Sequence, residues 1–318
     1  MRAVAIFLWV VCSAALAQES YPSKPVRLIA AAAPGGNPDV LGRMLAAKLA
    51  DDFGRPVVVE NMPGAGGVVA AEVLARSAPD GHVLMLGDSG ALAINIALNP
   101  RVTYNPLRDF TLITALAAVP TVIVAPQTLS AATLQEFVSV AKSQPGKLSY
   151  GSAGNGSVHH LTMAVFASRA GIDMLHVPYK GGTALVAAVL SGEVQAGWSG
   201  IPNVLAHIRA GKLRVYAIST AQRSTTLPDV PTTAELGYPG FDIATMIGLQ
   251  APAGLPREIV ARLQSAVAKA LRERDLAERM ANLAMELREN GTEDYVRFVR
   301  DDLERYAAAV KTAGIKHD

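Results

Sequence analysis

The chain has 318 residues, which is long enough to bury a sizeable core without covalent cross-links. Its 29 Lys and Arg nearly balance 27 Asp and Glu, and the absence of a long basic run excludes a typical nucleic-acid partner. The one cysteine, Cys12, lies in an N-terminal leader, so the mature chain is expected to have no disulfide and no cysteine-based site.

The first 17 residues have the three parts of a secretory signal peptide. Arg2 supplies a positive charge, residues 3–11 are apolar, and residues 15–17 (Ala-Leu-Ala) have the small-x-small form of a cleavage site. We therefore predict a cleavable signal at residues 1–17 and export of the mature protein to the periplasm. No later apolar run reaches the length that a membrane helix needs.

Short β-branched runs then alternate with amphipathic helical patterns. Strands are predicted at residues 26–30, 57–59 and 83–86, and residues 39–49 place their apolar side chains at helical spacing. Residues 64–67 (Gly-Ala-Gly-Gly) are expected to open a second helix. Repetition of strand, glycine turn and helix indicates a parallel sheet in an α/β protein.

The same alternation continues to the C-terminus. Thr133 and Glu136 form a plausible capping box for a helix that ends near Lys142. Two long amphipathic helices, around residues 259–271 and 295–310, close the chain. Further strands are predicted at residues 121–125, 174–177, 194–198, 213–218 and 247–251.

No flexible linker divides the chain, so two domains would have to be joined by structured crossings. The proline-bounded runs at 121–125 and 247–251 are the candidates. They predict a discontinuous first domain, residues 18–122 plus 248–318, and a second domain, residues 123–247.

Enzyme signatures are missing from the sequence. Residues 87–91 and 197–201 begin like a Gly-x-Ser-x-Gly nucleophile elbow but lack its last glycine, and neither dinucleotide nor Walker motifs occur. His159 and His160 form the only histidine cluster, and adjacent helical positions point too far apart to share a metal. We therefore expect a protein with no catalytic residues, no metal and no cofactor.

Four glycine-rich loops follow predicted strands, at residues 33–39, 87–90, 152–157 and 179–183. Each would present backbone N–H groups at the start of a helix, where the helix dipole favours an anion. Any one of them could be an ordinary turn. Four together, at the carboxyl ends of strands, favour binding of a small anion.

A series of short stretches carries a family resemblance. They occur in order over the mature chain, at residues 21–27, 33–36, 57–67, 79–81, 145–157, 176–181, 210–214, 227–232 and 252–254. With this series the sequence resembles the Bug-type receptors, the extracytoplasmic solute-binding proteins of tripartite tricarboxylate transporters.

The resemblance implies a two-lobed, type II periplasmic-binding-protein (Venus-flytrap) fold in which each lobe is a central sheet flanked by helices. It implies capture of a small organic carboxylate between the lobes, for delivery to membrane transporter subunits or for sensing, with a monomer as the simplest state. The implied first-domain wall comprises Ala33, Pro34, Gly36, Asn37, Asp39 and Ser89. The implied second-domain wall comprises Ser152, Ala153, Asn155, Gly156, Ser157, Tyr179, Lys180 and Gly181, and Ser199 and Met246 complete the set.

Several positions depart from the family pattern, among them residues 30–33, which are all alanine, and Asn37-Pro38. Ser199 stands where an acidic or amide residue is usual, Met246 where an aromatic is usual, and Asp88 where a small uncharged residue is usual. The loss of the usual acid argues against an amino-acid ligand. Asp88 could offset that loss or merely face solvent, and its charge could also repel a dicarboxylate.

Two other functions stay open at this point: a partner or sensory protein that binds no solute, and an exported hydrolase that uses Ser89 or Ser157. Trp198 could belong to the core or to the pocket wall, and Lys180 could be a solvated charge rather than a ligand contact.

Overall fold

The computed structural model describes residues 21–239, 241–288 and 291–315, so the predicted signal peptide lies outside the described residues. The strands are β1 (Val26–Ala30), β2 (Val57–Asn61), β3 (Val83–Asp88), β4 (Phe110–Pro126), β5 (Ser149–Ser152), β6 (Leu175–Pro178), β7 (Ala196–Gly200), β8 (Leu213–Ile218), β9 (Ala244–Pro252) and β10 (Glu286–Leu287). The helices are α1 (Asn37–Phe53), α2 (Val68–Ala75), α3 (Asn95–Leu98), α4 (Pro106–Asp109), α5 (Leu134–Ser143), α6 (Val158–Ala170), α7 (Gly182–Ser191), α8 (Ile201–Arg209), α9 (Arg257–Arg272), α10 (Arg274–Asn282) and α11 (Thr292–Ala313).

Two sheets define two lobes. In the first lobe β2, β1 and β3 run parallel, β9 lies antiparallel to β3, and the first part of β4 pairs with β9 and β10. In the second lobe β5 runs parallel to β6 and β7, and the second part of β4 pairs antiparallel with β7 and β8. The predicted α/β class with parallel strands is confirmed.

Strand β4 is shared by both sheets. Its residues 110–120 face β9, and residues 121–126 face β7 and β8. The sequence predicted only residues 121–125 as a strand bounded by prolines, yet Pro120 lies inside the strand. The missed part, residues 110–119, mixes three alanines with β-branched and larger apolar residues, and it forms a strand through pairing with β9 and, near its end, with β10.

Local signals set several element ends. The hydroxyl of Thr133 accepts a hydrogen bond from Glu136 N at 3.1 Å, which confirms the predicted start of α5. The sequence predictions did not include α8 or α10. Within the described residues, no helix combines the length and the apolar character needed to cross a membrane.

Trp198 belongs to the core of the second lobe. It is fully buried, stacks on Phe241 with ring centroids 5.6 Å apart, and meets the edge of Phe166. It therefore does not wall the pocket. Helix α11 belongs to the C-terminal part of the chain but packs on both α6 and β4, so it joins the two lobes.

Candidate functional site

A cavity of about 330 Å³ lies where loops from both lobes meet. The loops after β1 and β2 form its first-lobe wall, and the loops after β5 and β6 form its second-lobe wall. Its size is at the lower end of the range for small-molecule sites, about 300–1,000 Å³. The lining residues are Ala31, Ala32, Ala33, Gly36, Asn37, Pro38, Pro63, Gly64, Ala65, Gly66, Gly67, Asp88, Ala153, Gly154, Ser157, Val158, His159, Tyr179, Lys180, Gly181, Gly182 and Asn203.

The first-lobe wall is held from behind by Asp39. Its carboxylate accepts hydrogen bonds from Gly35 N and Asn61 Nδ2, both at 2.8 Å, and pairs with Arg43 at 2.9 Å. Burial alone would raise the pKa of Asp39, but these donors outweigh burial and hold the pKa below its usual value. Asp39 therefore fixes the loop that precedes α1 and does not itself line the cavity.

The second-lobe wall is also braced by side chains behind it. Ser152 Oγ hydrogen-bonds His176 Nε2 at 2.7 Å and accepts from Gly154 N at 3.1 Å. The ring of His176 stacks on His160 with centroids 3.9 Å apart. Ser157 caps α6 by accepting from His160 N at 3.2 Å. These bonds fix the loop backbone and leave its residues Ala153 and Ser157 on the cavity.

Several buried polar atoms at this site have no hydrogen-bond partner among the described residues: Asn37 Oδ1, Asn155 Oδ1 and both ring nitrogens of His159. Asn37, only 4% exposed, and His159 line the cavity directly. Buried polar groups without partners cost free energy, so these atoms are available to a ligand. Burial lowers the pKa of His159 to about 4, and its imidazole is neutral near pH 7.

Contacts between the lobes close the cavity. The buried side chain of Asn95, at the start of α3, donates through Nδ2 to Gly90 O at 2.8 Å, to Gly156 O at 3.0 Å and, at 3.4 Å, to Gly66 O. Gly156 belongs to the second lobe, and the other two carbonyls belong to the first. Thr183 Oγ1 adds a bond to Pro34 O at 3.2 Å. The described conformation is therefore a closed one.

Half of the sixteen predicted site residues lie on the cavity wall: Ala33, Gly36, Asn37, Ala153, Ser157, Tyr179, Lys180 and Gly181. The other half lie beside or behind it: Pro34, Asp39, Ser89, Ser152, Asn155, Gly156, Ser199 and Met246. Ser89 is buried and donates to Asp302 Oδ2 at 2.8 Å. Ser199 and Met246 are buried within β7 and β9. The part that each of these residues plays in binding stays a prediction.

Sequence reasoning missed other residues of the wall. The loop at residues 63–67, His159, Asn203 and Asp88 all line the cavity but were not predicted as site residues. The glycine-rich run at 64–67 carried the same signal as the four predicted loops and could have been included. Asn203 lies on α8, which was not predicted, and nothing in its local sequence marks it.

The buried imidazoles make stability depend on pH. Burial lowers the pKa of His160 to about 3, with a contribution from His176, and that of His159 to about 4, from an ordinary 6.5. At pH values between these lowered pKa values and 6.5, the two imidazoles bind more protons in the unfolded chain than in the folded chain. The free energy of unfolding therefore falls as pH falls below 6.5. Asp88 opposes this trend, because its raised pKa, about 6, makes the folded chain bind a proton earlier.

We expect ligand-free His159→Gln to lose less stability than wild type between about pH 6.5 and 4.5, by about 1–2 kcal/mol. Urea unfolding at both pH values measures this difference. His207→Gln, on α8 outside the cavity wall, is the control and should follow wild type. Equal losses in wild type and His159→Gln would contradict a neutral buried His159.

The two sheets that share strand β4, with a cavity between their loops, define a periplasmic-binding-protein fold. The model of the tripartite tricarboxylate transporter family receptor matches residues 41–315. Protein BugT of Bordetella pertussis is 36% identical over 306 residues, covering 96% of this chain and 94% of that protein.

Two solved structures are similar throughout. Rpa4515 of R. palustris, solved with adipate, has a TM-score of 0.90 at 31% identity and covers 93% of this chain and 99% of its own. The periplasmic binding protein BugD has a TM-score of 0.90 at 31% identity, and the match covers 94% of this chain and 100% of the BugD chain. The chain belongs to the tripartite tricarboxylate transporter receptor family. It is a solute-binding receptor rather than an enzyme, which excludes the hydrolase alternative.

Proposed function

We propose that this protein captures a small organic carboxylate in the cavity between its lobes and presents the closed form to membrane transporter subunits. The observation that carries the proposal is the convergence of three helix starts on one cavity. Helices α1, α6 and α7 all begin at its wall, with Gly36, Ser157 and Gly181 as their N-cap residues. The positive ends of these helices and Lys180 favour an anionic ligand.

The unpaired ring of His159 suits the same ligand, because a neutral imidazole has one N–H that can donate to a carboxylate. The unpaired Oδ1 of Asn37 is an acceptor and suits a donor group elsewhere on the ligand. Rpa4515, which has the same fold, was solved with a dicarboxylate, adipate. These observations support a carboxylate ligand.

The proposal includes the domain division and the route of export. We propose that residues 18–122 plus 248–318 form the first lobe, that residues 123–247 form the second, and that they close as a monomer around the ligand. We also propose that residues 1–17 are a signal peptide removed on export to the periplasm, the compartment in which BugD is described. The predicted contacts of the sixteen site residues belong to the same proposal.

The test is a thermal-shift screen of the mature protein, stripped of carried-over ligand, against carboxylic acids and their amides. A ligand at 100 times its dissociation constant stabilises the folded state by about 2.7 kcal/mol, which is readily seen. A shift with an acid that disappears with its amide is the expected result. A flat screen, together with binding to a membrane partner, would favour a sensory protein that captures no solute.

A further inference from the structure

One carboxylate on the cavity wall has no compensating cation among the described residues. Half-buried Asp88 ends β3 and lines the cavity, and its Oδ1 accepts a hydrogen bond from Gly90 N at 2.9 Å. No Lys, Arg or His in the part of the chain that the structure describes pairs with it. Asp302, which is buried, differs because it pairs with Arg305 at 2.5 Å and accepts from Ser89.

The surroundings of Asp88 add no positive charge. The phenols of Tyr104, Tyr295 and Tyr306 lie within electrostatic range of Asp88. Burial raises the pKa of all three phenols and the charge of Asp88 adds to the rise, so they stay neutral.

Two backbone carbonyls lie close to Gly90, the residue that donates to Asp88. A β-carbon built on Gly90 would lie 2.9 Å from Gly66 O and 3.5 Å from Gly156 O, and both oxygens also accept from Asn95 Nδ2. Carbonyl oxygens and a carboxylate together favour a cation and repel an anion.

The other walls have the opposite character. Lys180 and the first turns of α1, α6 and α7 face the same cavity, and neutral His159 adds an N–H. The cavity is therefore polarised, with one region suited to an anion and another, at Asp88, suited to a cation.

We propose that the ligand of this receptor is an amino acid or a related zwitterion, whose carboxylate faces the helix starts and whose protonated amine binds Asp88. This inference rests on the proposed capture of a carboxylate and specifies the class of ligand. A dicarboxylate would place its second carboxylate against Asp88, where two like charges cannot both stay ionised without cost.

Isothermal titration of the ligand-stripped mature protein tests the proposal with acids of matched chain length. Each set contains a dicarboxylate, the unsubstituted monocarboxylate and two amino acids. One amino acid carries its amine on the carbon next to the carboxylate, and the other carries it on the last carbon of the chain. We expect an amino acid to bind at least about tenfold more tightly than the dicarboxylate and the monocarboxylate of its set.

Asp88→Asn should weaken binding of that amino acid by at least about tenfold and improve binding of the dicarboxylate. Asp173→Asn changes the net charge equally but lies exposed outside the cavity wall, and should change neither affinity. Wild-type protein gives a second readout that needs no variant. Affinity for the amino acid should rise between about pH 5 and 7, as Asp88, with a pKa of about 6, ionises.

If wild-type protein binds the dicarboxylate of a set more tightly than the amino acid of that set, the zwitterion proposal is overturned and carboxylate capture stays intact. Failure of every acid in the sets would contradict carboxylate capture itself. If Asp88→Asn does not fold, the wild-type pH series decides, and a flat or falling affinity for amino acids contradicts the proposal.

Discussion

Gly156→Ala is expected to weaken ligand binding by about a hundredfold or more, because it forces apart the two loops that close the cavity. Gly156 has a φ of +71°, a left-handed conformation that costs an alanine about 1–2 kcal/mol. A β-carbon there would also lie 2.6 Å from Cγ and 2.7 Å from Nδ2 of Asn95. Asn95 is only 2% exposed and cannot swing into solvent, so the loops must separate.

Gly211→Ala is the matched control. Gly211 has a similar φ of +64°, but a β-carbon on it would meet nothing within 4 Å. It should lose about 1 kcal/mol of stability through backbone strain and keep the wild-type dissociation constant. Titration calorimetry with a ligand found in the carboxylate screen measures both variants. Equal affinities in the two variants would show that the Asn95–Gly156 contact is not needed for binding.

Asn95→Ala is expected to speed ligand release by about ten- to a hundredfold and to lower stability by about 2–3 kcal/mol. The substitution leaves the carbonyls of Gly66, Gly90 and Gly156 without the donor that joins the lobes. The closed form loses these bonds, whereas the open form regains water at Gly156. Competition stopped-flow measures the release rate, and small-angle scattering of the liganded protein measures the fraction that is closed.

The control for Asn95→Ala is Asn99→Ala, which removes an amide four residues away whose oxygen accepts a hydrogen bond from Arg101 N. It should leave ligand release unchanged. The double variant Asn95→Ala/Gly156→Ala should lose less binding free energy than the sum of the losses in the two single variants. The reason is that the clash between the new β-carbon at position 156 and the Asn95 amide disappears when the amide is removed. A release rate in Asn95→Ala equal to that of wild type would contradict its role in holding the lobes together.

The elements that the sequence predicted well are those with strong local signals. Strand β1 was predicted at residues 26–30 and lies there, because a run of β-branched and other apolar residues favours a strand and the turn after it ends the strand. Helix α5 begins at its predicted cap, Thr133, because capping involves residues only three positions apart. The first part of β4, residues 110–119, was missed, because its pairing partner β9 lies more than a hundred residues away and no local signal marks that pairing.

The site was predicted as a set of loops more accurately than as a set of side chains. Glycine spacing marks where a backbone can approach a ligand, and the loops at residues 33–39, 152–157 and 179–183 do reach the cavity. Within those loops Asp39 and Ser152 turn back to brace Gly35 and His176. Sequence alone does not specify that choice, because it depends on which partners packing brings within hydrogen-bond distance.

The amino-acid sequence by itself determined the α/β class, the family and the glycine-rich loops that line the cavity, since these follow from periodicity, turn residues and motif order. Only the tertiary structure decided where uncompensated charge lies. Asp88 and His159 acquire their shifted pKa values from burial, and burial arises when distant segments pack together. The polarity of the cavity is thus a property of the folded chain, because the desolvation and missing partners that create it do not exist in any local stretch.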